Sequence, residues 1–123
     1  MKLLLATLLM VIVQRPAAGE TEHFACNMAA LTKAERATHH QLSHRLLASV
    51  EEQRELRNGY AFRMPAKTFP TAAHWVSLER RCCPFFAFEL QLAQDGGPMW
   101  LKVTGSQGIK QFIRAEFGLD ATH

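Results

Sequence analysis

The sequence predicts one small α+β domain with elements in the order α-β-α-β-β-α, in which helices cover a mostly antiparallel three-stranded sheet. Apolar residues alternate with polar ones in three short segments, which is typical of strands buried on one face. Three other segments carry apolar residues at helical spacing, together with helix-start or helix-stop signals. The chain has 123 residues, of which 48% are hydrophobic, so it is long enough for one core and too short for two.

The first predicted helix begins after Thr32 and runs to about Arg57. Thr32-Lys33-Ala34-Glu35 matches the capping box, in which each of the two polar side chains accepts a hydrogen bond from the other residue's backbone N–H. Leu42 begins a run of apolar residues at helical spacing. Asn58-Gly59 predicts the end of this helix, because both residue types tolerate the left-handed conformation that stops helices.

A strand and a second helix are predicted next. Residues 60–64 alternate between large apolar and other residues, which predicts a strand with one buried face. Thr71 can cap a helix, and Pro84 ends it by restraining the residue before it. Cys82 and Cys83 therefore lie at the last turn of this predicted helix.

A hairpin and a final helix complete the predicted domain. Residues 86–92 and 99–103 both alternate with period two, and Asp95-Gly96-Gly97-Pro98 separates them as a turn. Residues 109–117 then carry apolar side chains at helical spacing, and Gly118 follows as a stop signal. The pattern of one hairpin without repeated βαβ units favours an antiparallel sheet.

Residues 1–19 are typical of a secretory signal peptide. The uncharged run from residue 3 to residue 13 is too short to span a bilayer, which needs about 20 residues, and Ala17-Ala18-Gly19 offers small residues for cleavage. We therefore expect a mature domain of residues 20–123, periplasmic or secreted, with no stable membrane span. The alternatives are an uncleaved anchor or a mis-assigned start codon, and the latter would make the protein cytoplasmic.

The charge balance gives no sign of a nucleic-acid partner. The formal net charge is +3, but Lys2 and Arg15 belong to the predicted signal peptide, so 12 of the 14 Lys and Arg residues remain against 11 Asp and Glu. Arg80-Arg81 is a basic pair beside the cysteines and not part of a basic stripe. We expect no binding of nucleic acid.

Three cysteines, Cys26, Cys82 and Cys83, carry the distinctive chemistry of the chain. Adjacent α-carbons lie about 3.8 Å apart, whereas disulfides prefer roughly 4.4–6.8 Å, so Cys82 and Cys83 do not easily bond to each other. A disulfide from Cys26 to either one leaves an odd thiol. Three thiolates converging on one ion would explain the odd number, because Cu(I), Hg(II) and As(III) favour sulfur, whereas Zn(II) needs a fourth ligand. The alternative is that some of these cysteines are small core residues.

The surroundings of the cysteine pair suggest different roles for its members. Cys82 follows Leu78 by four residues on the predicted buried face, so Cys83, beside Pro84, is predicted to be the more exposed thiol. Glu79 lies one turn before Cys83 and is a candidate oxygen ligand or proton acceptor. A solvated surface glutamate is the alternative for Glu79.

The histidines of the first helix are weaker candidates. His40 and His44 are four residues apart, a spacing that lets two imidazoles reach one metal ion. The favoured alternative is that they form a polar, solvated face together with His39.

Three stretches of the chain together resemble an uncharacterised family of small bacterial proteins with an Arg-Cys-Cys-Pro-Phe motif. The stretches are Ala25-Cys26-Asn27-Met28-x-Ala-Leu31-Thr32, Glu79-Arg80-Arg81-Cys82-Cys83-Pro84-Phe85 and Thr104-Gly105-x-x-Gly108-x-Lys110-x-Phe112. The resemblance covers nearly all of residues 24–118 and implies that the three cysteines act as one set. It implies no established activity, and an association with heavy-metal or metalloid resistance is an expectation. Family members begin close to the first cysteine, so the signal-like extension departs from the pattern.

We therefore expect a binding protein, not an enzyme, that sequesters or transfers a thiophilic metal or metalloid ion. The ion would be copper, mercury, arsenic or zinc, held by Cys26, Cys82 and Cys83, with Glu79 or a histidine completing its shell. One alternative is a thiol-based redox enzyme in which Cys83 is the nucleophile and another cysteine resolves the intermediate. The other alternative is a structural or interaction domain with packed cysteines.

Overall fold

The computed structural model describes residues 12–14 and 24–120. This part of the chain contains three α-helices, α1 (Lys33–Ala48), α2 (Phe69–Cys82) and α3 (Ile109–Glu116). It also contains four strands, β1 (Glu52–Leu56), β2 (Gly59–Met64), β3 (Ala87–Leu92) and β4 (Met99–Thr104). Apart from residues 12–14, the predicted signal peptide 1–19 lies outside the described residues. Within the described ranges, no helix combines the length and the apolar character that crossing a membrane requires.

The four strands form one antiparallel sheet in the order β1-β2-β4-β3. In its register Phe62 of β2 and Leu90 of β3 both lie opposite Leu101 of β4. Every second residue of β4 is buried, as expected for a strand with one face toward a core. On the other face the guanidinium of Arg54 lies 4.5 Å from the centre of the Trp100 ring. The predicted α+β class and antiparallel sheet are confirmed.

The three helices cover the buried face of the sheet and share one core with it. The buried apolar residues that the helices contribute to this core are Leu42, Leu46, Ala72, Trp75, Leu78, Ile109 and Ile113. Helices α1 and α2 lie side by side, and the indole N–H of Trp75 donates a 2.9 Å hydrogen bond to the hydroxyl of Ser43. This pairing of α1 with α2 brings the side chains of the candidate site together.

The prediction of three strands was wrong by one, because residues 52–56 form a strand and not the end of the first helix. Helix α1 ends at Ala48, about two turns before the predicted end near Arg57. Strand β1 pairs with β2, and Leu56 lies opposite Gly59, so Arg57 and Asn58 form a two-residue hairpin turn. The Asn58-Gly59 signal therefore marks a hairpin and not a helix stop.

The glycine in this signal is required by the neighbouring strand. A β-carbon at Gly59 would lie 2.0 Å from the carbonyl oxygen of Val103 in β4. Gly59 has no positive φ, so a glycine is needed here because the backbones of β2 and β4 lie close together, and not because of a left-handed turn.

The other predicted boundaries agree with the structure to within a few residues. Thr32 and Glu35 form the predicted capping box at the start of α1. Helix α2 begins at Phe69, two residues before the predicted cap, and has Pro70 in its first turn. It ends at Cys82, so the two adjacent cysteines do lie at its C-terminus.

Candidate functional site

A disulfide joins Cys26 to Cys83 and fastens the N-terminal segment to the end of α2. The two α-carbons lie 4.6 Å apart, and the residues are separated by 57 positions in the sequence. The N–H of Asn27 donates a 2.7 Å hydrogen bond to the carbonyl oxygen of Cys82, next to the disulfide. The segment before α1 is thus held against α2 by one covalent bond and one backbone hydrogen bond.

Aromatic packing surrounds the chain on both sides of this disulfide. Phe24, two residues before Cys26, packs against Phe85, two residues after Cys83, with ring centres 5.1 Å apart. Both rings also contact Phe112 of α3. The disulfide is therefore anchored to the core by its sequence neighbours.

The prediction that Cys83 is the more exposed thiol was wrong. Cys83 is 1% exposed and bonded to Cys26, because the N-terminal segment covers the end of α2. Cys26 is half-buried, so it is the most exposed of the three cysteines. Cys82 is fully buried, as its spacing from Leu78 predicted.

Cys82 is the one free thiol among the described residues, and it lies beside the disulfide. Its Sγ is 3.5 Å from the Sγ of Cys83. Burial raises the pKa of the Cys82 thiol to about 11, and the nearby negative charge of Glu79 acts in the same direction. The thiol donates toward Glu79, to its carbonyl oxygen at 3.6 Å and to its carboxylate at 3.9 Å. Cys82 is therefore held as a neutral thiol in this form of the protein.

Glu79 is buried and paired, which excludes the alternative of a solvated surface glutamate. Only 4% of its side chain is exposed, and its carboxylate oxygen Oε2 is hydrogen bonded to Nε2 of His39 on α1. A buried carboxylate needs such a partner, because an unpaired charge in a protein interior is strongly unfavourable. Glu79 thus connects the cysteines at the end of α2 with a histidine of the neighbouring helix.

His39 is a site residue that the sequence interpretation placed on a solvated face. Its side chain is 15% exposed, and its ring stacks near the indole of Trp75, with centres 6.4 Å apart. A signal for this was available, because His39 precedes the buried Leu46 by seven residues and so lies on the buried stripe of α1. His40 and His44 are exposed, and their rings contact each other at 4.7 Å. Within residues 12–14 and 24–120, no third donor joins that pair in a group able to hold an ion.

Arg81 lies at the exposed edge of the site and links the chain segments that form it. Its guanidinium donates to both carboxylate oxygens of Glu35, at 2.8 Å and 3.0 Å, and to the carbonyl oxygen of Ala30 at 3.0 Å. The Arg81 hydrogen bond, with the Thr32 backbone N–H, holds the pKa of the Glu35 carboxyl at about 2. Arg81 therefore ties α2 to the start of α1 and to the segment that carries Cys26.

A cavity of about 100 Å³ opens beside Glu79 and His39. Its walls are mainly apolar and come from α1, α2, the sheet and the C-terminal end of α3 with the residue that follows it. The apolar lining includes Leu46, Phe62, Met64, Trp75, Leu101 and Phe117. His39, Ser43, Glu79 and Glu116 supply its polar groups. The cavity has the usual character of a small ligand pocket, with apolar walls and a few polar groups.

The donor atoms of the site fall into two groups that share Glu79. In the first group, the sulfurs of Cys26 and Cys83 and a carboxylate oxygen of Glu79 all lie within 4.8 Å of one another. In the second group, a ring nitrogen of His39, a Glu79 oxygen and the Cys82 sulfur meet the same limit. All four residues predicted from the sequence for the site, Cys26, Glu79, Cys82 and Cys83, are therefore brought together.

Comparisons with known protein families, with curated proteins and with solved structures find no match to this chain. The resemblance to a family with an Arg-Cys-Cys-Pro-Phe motif stays a prediction. Function is therefore inferred from the site itself.

Proposed function

We propose that this protein binds a thiophilic metal or metalloid ion through Cys26, Cys82 and Cys83 after its disulfide is reduced. One observation carries the proposal. The Cys82 sulfur lies 3.5 Å from that of Cys83, which is itself bonded to Cys26. Three sulfurs from two distant parts of the sequence thus lie close together, as a three-thiolate site requires.

In the disulfide form, two of the three sulfurs of this proposed site are bonded to each other and are not free to bind an ion. A dithiol reductant that supplies two electrons and two protons would convert the Cys26–Cys83 bond into two thiols and would itself become a disulfide. The three thiols would then release protons as an ion of the Cu(I), Hg(II) or As(III) class binds. Zn(II) would need a fourth donor, and Glu79, within 4.8 Å of the Cys26 and Cys83 sulfurs, is placed to give one.

The test is a titration of the full chain in both redox forms. The reduced, anaerobic protein is titrated with Cu(I), Hg(II) and As(III), and the absorption of sulfur-to-metal bonds is followed. We expect one tight equivalent in the reduced wild type, and loss of tight binding in each of the three single Cys→Ser variants. The oxidised wild type is the matched control, because its disulfide blocks two of the sulfurs. Equal binding by both forms would contradict the proposal.

A second candidate function is thiol-disulfide exchange, which a disulfide with one half-buried partner, Cys26, favours. In this scheme the thiolate of Cys26, the most exposed of the three cysteines, attacks a small disulfide substrate and releases one thiol, and Cys83 then attacks the mixed disulfide and releases the other. The paired Glu79 and His39 would accept the proton of an attacking thiol. The protein ends as the observed disulfide, and a thiol reductant restores it.

Dependence on particular cysteines separates the two candidates. Turnover with a small disulfide or with peroxide should require Cys26 and Cys83 and persist in Cys82→Ser. Ion binding should require all three cysteines. Loss of turnover only in Cys26→Ser and Cys83→Ser would favour the enzyme, and absence of turnover in the wild type would exclude it.

We place the protein in an oxidising compartment as part of this proposal. A structural disulfide persists in secreted and periplasmic proteins and is rare in the cytosol, which agrees with the predicted signal peptide. Rapid thiol trapping in the host, followed by N-terminal sequencing, tests the location. A mature start near residue 20 and a closed disulfide support export, whereas an intact Met1 and three free thiols would contradict it.

A further inference from the structure

We infer that His39, Glu79 and Cys82 form a second site, for a divalent cation of the zinc class, which shares Cys82 and Glu79 with the proposed soft-ion site and is available while the Cys26–Cys83 disulfide is closed. The inference goes beyond the proposed soft-ion site, because it needs neither sulfur of the disulfide. The three donor atoms lie within 4.8 Å of one another. They come from two helices whose packing already holds them in place.

The distance between the Cys82 and Glu79 donor atoms is close to that between neighbouring ligand atoms of a bound zinc ion. Zinc bonds of about 2.0–2.3 Å in tetrahedral geometry place neighbouring ligand atoms roughly 3.3–3.8 Å apart. The Cys82 sulfur lies 3.9 Å from the Glu79 carboxylate, and His39 is in direct hydrogen-bond contact with the same carboxylate. A cation bound by both groups would take the place of this hydrogen bond, so the side chain of His39 would have to shift away from Glu79.

The donor set distinguishes this site from the three-sulfur site. One imidazole nitrogen, one carboxylate oxygen and one thiolate are the mixture that Zn(II) accepts, whereas Cu(I) and As(III) favour sulfur alone. Binding would release the thiol proton of Cys82 and would replace the hydrogen bond between His39 and Glu79. The fully buried Cys82, which has no disulfide partner, thereby gains a role in the oxidised protein as well.

The cavity supplies an independent observation in favour of a ligand here. Zinc sites that act on ligands have three protein donors and one open position. His39 and Glu79 form part of the wall of the cavity of about 100 Å³, so a fourth ligand can reach them from that side. The cavity has room for a few water molecules or a small, mainly apolar molecule with one donor group.

The supporting contacts keep His39 in position for this role. The hydroxyl of Ser43 donates a 2.8 Å hydrogen bond to the carbonyl oxygen of His39 and accepts one from the indole of Trp75. The Trp75 ring also stacks near the imidazole. These contacts restrict the movement of α1 relative to α2. The hydrogen bond from Ser43 holds the backbone of His39, so its side chain can still make the small shift that a cation requires.

The test uses the oxidised full chain, with thiol titration showing one free thiol, and Co(II) as a spectroscopic probe of the zinc site. We expect one equivalent of Co(II) with a thiolate-to-cobalt absorption band and tetrahedral d–d bands, displaced by one equivalent of Zn(II). The band should disappear in Cys82→Ser. Co(II) affinity should fall by at least about tenfold in His39→Gln, because even the loss of a group that only supports a metal ligand costs about 10–100-fold in affinity.

Two further variants keep the test independent of folding and of the proposed function. His40→Gln changes an exposed neighbour on the same helix and should leave Co(II) binding unchanged. The double variant Cys26→Ser/Cys83→Ser cannot bind a soft ion through three sulfurs, yet it should retain the cobalt band. Absence of a thiolate band in the oxidised wild type, or equal affinity in folded His39→Gln, would overturn the inference and leave the soft-ion proposal standing.

Discussion

The carboxylate of Glu79 and the imidazole of His39 are hydrogen bonded across the α1–α2 interface, forty positions apart in the sequence. This pair links the end of α2, where the sulfurs lie, to the middle of α1. It also explains how a glutamate can be buried next to a disulfide and a thiol, since its oxygen has a partner.

Removal of His39 should therefore destabilise the protein through Glu79. His39→Ala leaves a buried carboxylate without its partner, so the free energy of unfolding should fall by about 1–3 kcal/mol. Adding Glu79→Leu should recover part of this loss, because the unpaired group is then gone. Urea unfolding of the two single variants and the double variant measures the coupling. His40→Ala is the control, and strictly additive effects of His39→Ala and Glu79→Leu would contradict the interpretation.

The disulfide should contribute a large share of the stability. It closes a loop across 57 positions, and the constraint this places on the unfolded chain corresponds to about 2–4 kcal/mol. The free energy of unfolding of the wild type should fall by that amount when a reductant is added. Cys26→Ser/Cys83→Ser should have the lower stability under both conditions, and Cys82→Ser should remain sensitive to the reductant. Unchanged stability of the reduced wild type would contradict this.

Cys82 should resist chemical modification in the folded, oxidised protein. The thiol is fully buried and its pKa is raised, so alkylation at neutral pH should be at least about a hundredfold slower than in the urea-unfolded chain. Mass spectrometry should locate one modified cysteine, Cys82, after unfolding without reductant. In Cys26→Ser a second site, Cys83, should become available. Equal rates for the folded and unfolded wild type would show that the sulfur is open to solvent.

Most of the fold could be predicted because local patterns encode it. The period-two runs of β3 and β4 flank a turn-rich segment, and the capping box marks the start of α1. Residues 51–57 could not be assigned this way, because Glu, Gln, Arg and Leu are strong helix formers. Their strand conformation comes from pairing with β2, a contact that spacing alone does not reveal.

The three cysteines and Glu79 could be predicted as members of the site, but His39 and the pairing of the cysteines could not. The adjacent Cys82 and Cys83 at a helix end follow from Pro84 and the helical spacing before it. Which of the two bonds to Cys26 depends on the direction that the chain takes after α2, and no local pattern encodes that direction. The burial of Glu79 likewise depends on His39, a residue of another helix, so it became visible only once α1 and α2 were packed together.

Acid should weaken the contact between Arg81 and Glu35. The pKa of Glu35 is lowered from 4.5 to about 2, mainly by the Arg81 hydrogen bond, so the folded state binds this proton less readily than the unfolded state. The contribution of the pair is therefore complete above about pH 4.5 and is lost as the pH falls through about 2. The difference in unfolding free energy between wild type and Glu35→Gln should shrink across this window. In the Arg81→Gln background this difference in unfolding free energy should change much less with pH. A difference that does not depend on pH in the wild-type background would contradict the conclusion that Arg81 lowers the pKa of Glu35.

Replacement of Gly59 should disrupt the sheet at the point where β2 approaches β4. In Gly59→Ala the added carbon would lie 2.0 Å from the carbonyl oxygen of Val103, which is backbone and cannot rotate away. The two strands would have to separate, and the free energy of unfolding should fall by more than about 2 kcal/mol.

Gly96→Ala is the matched control, because Gly96 has a φ of +68° but no atom within 4 Å of the added carbon. Its cost should be limited to the backbone strain of about 1–2 kcal/mol. Denaturant unfolding of both variants distinguishes a steric requirement from a conformational one, and a smaller loss at Gly59 than at Gly96 would show that β2 and β4 are less closely paired.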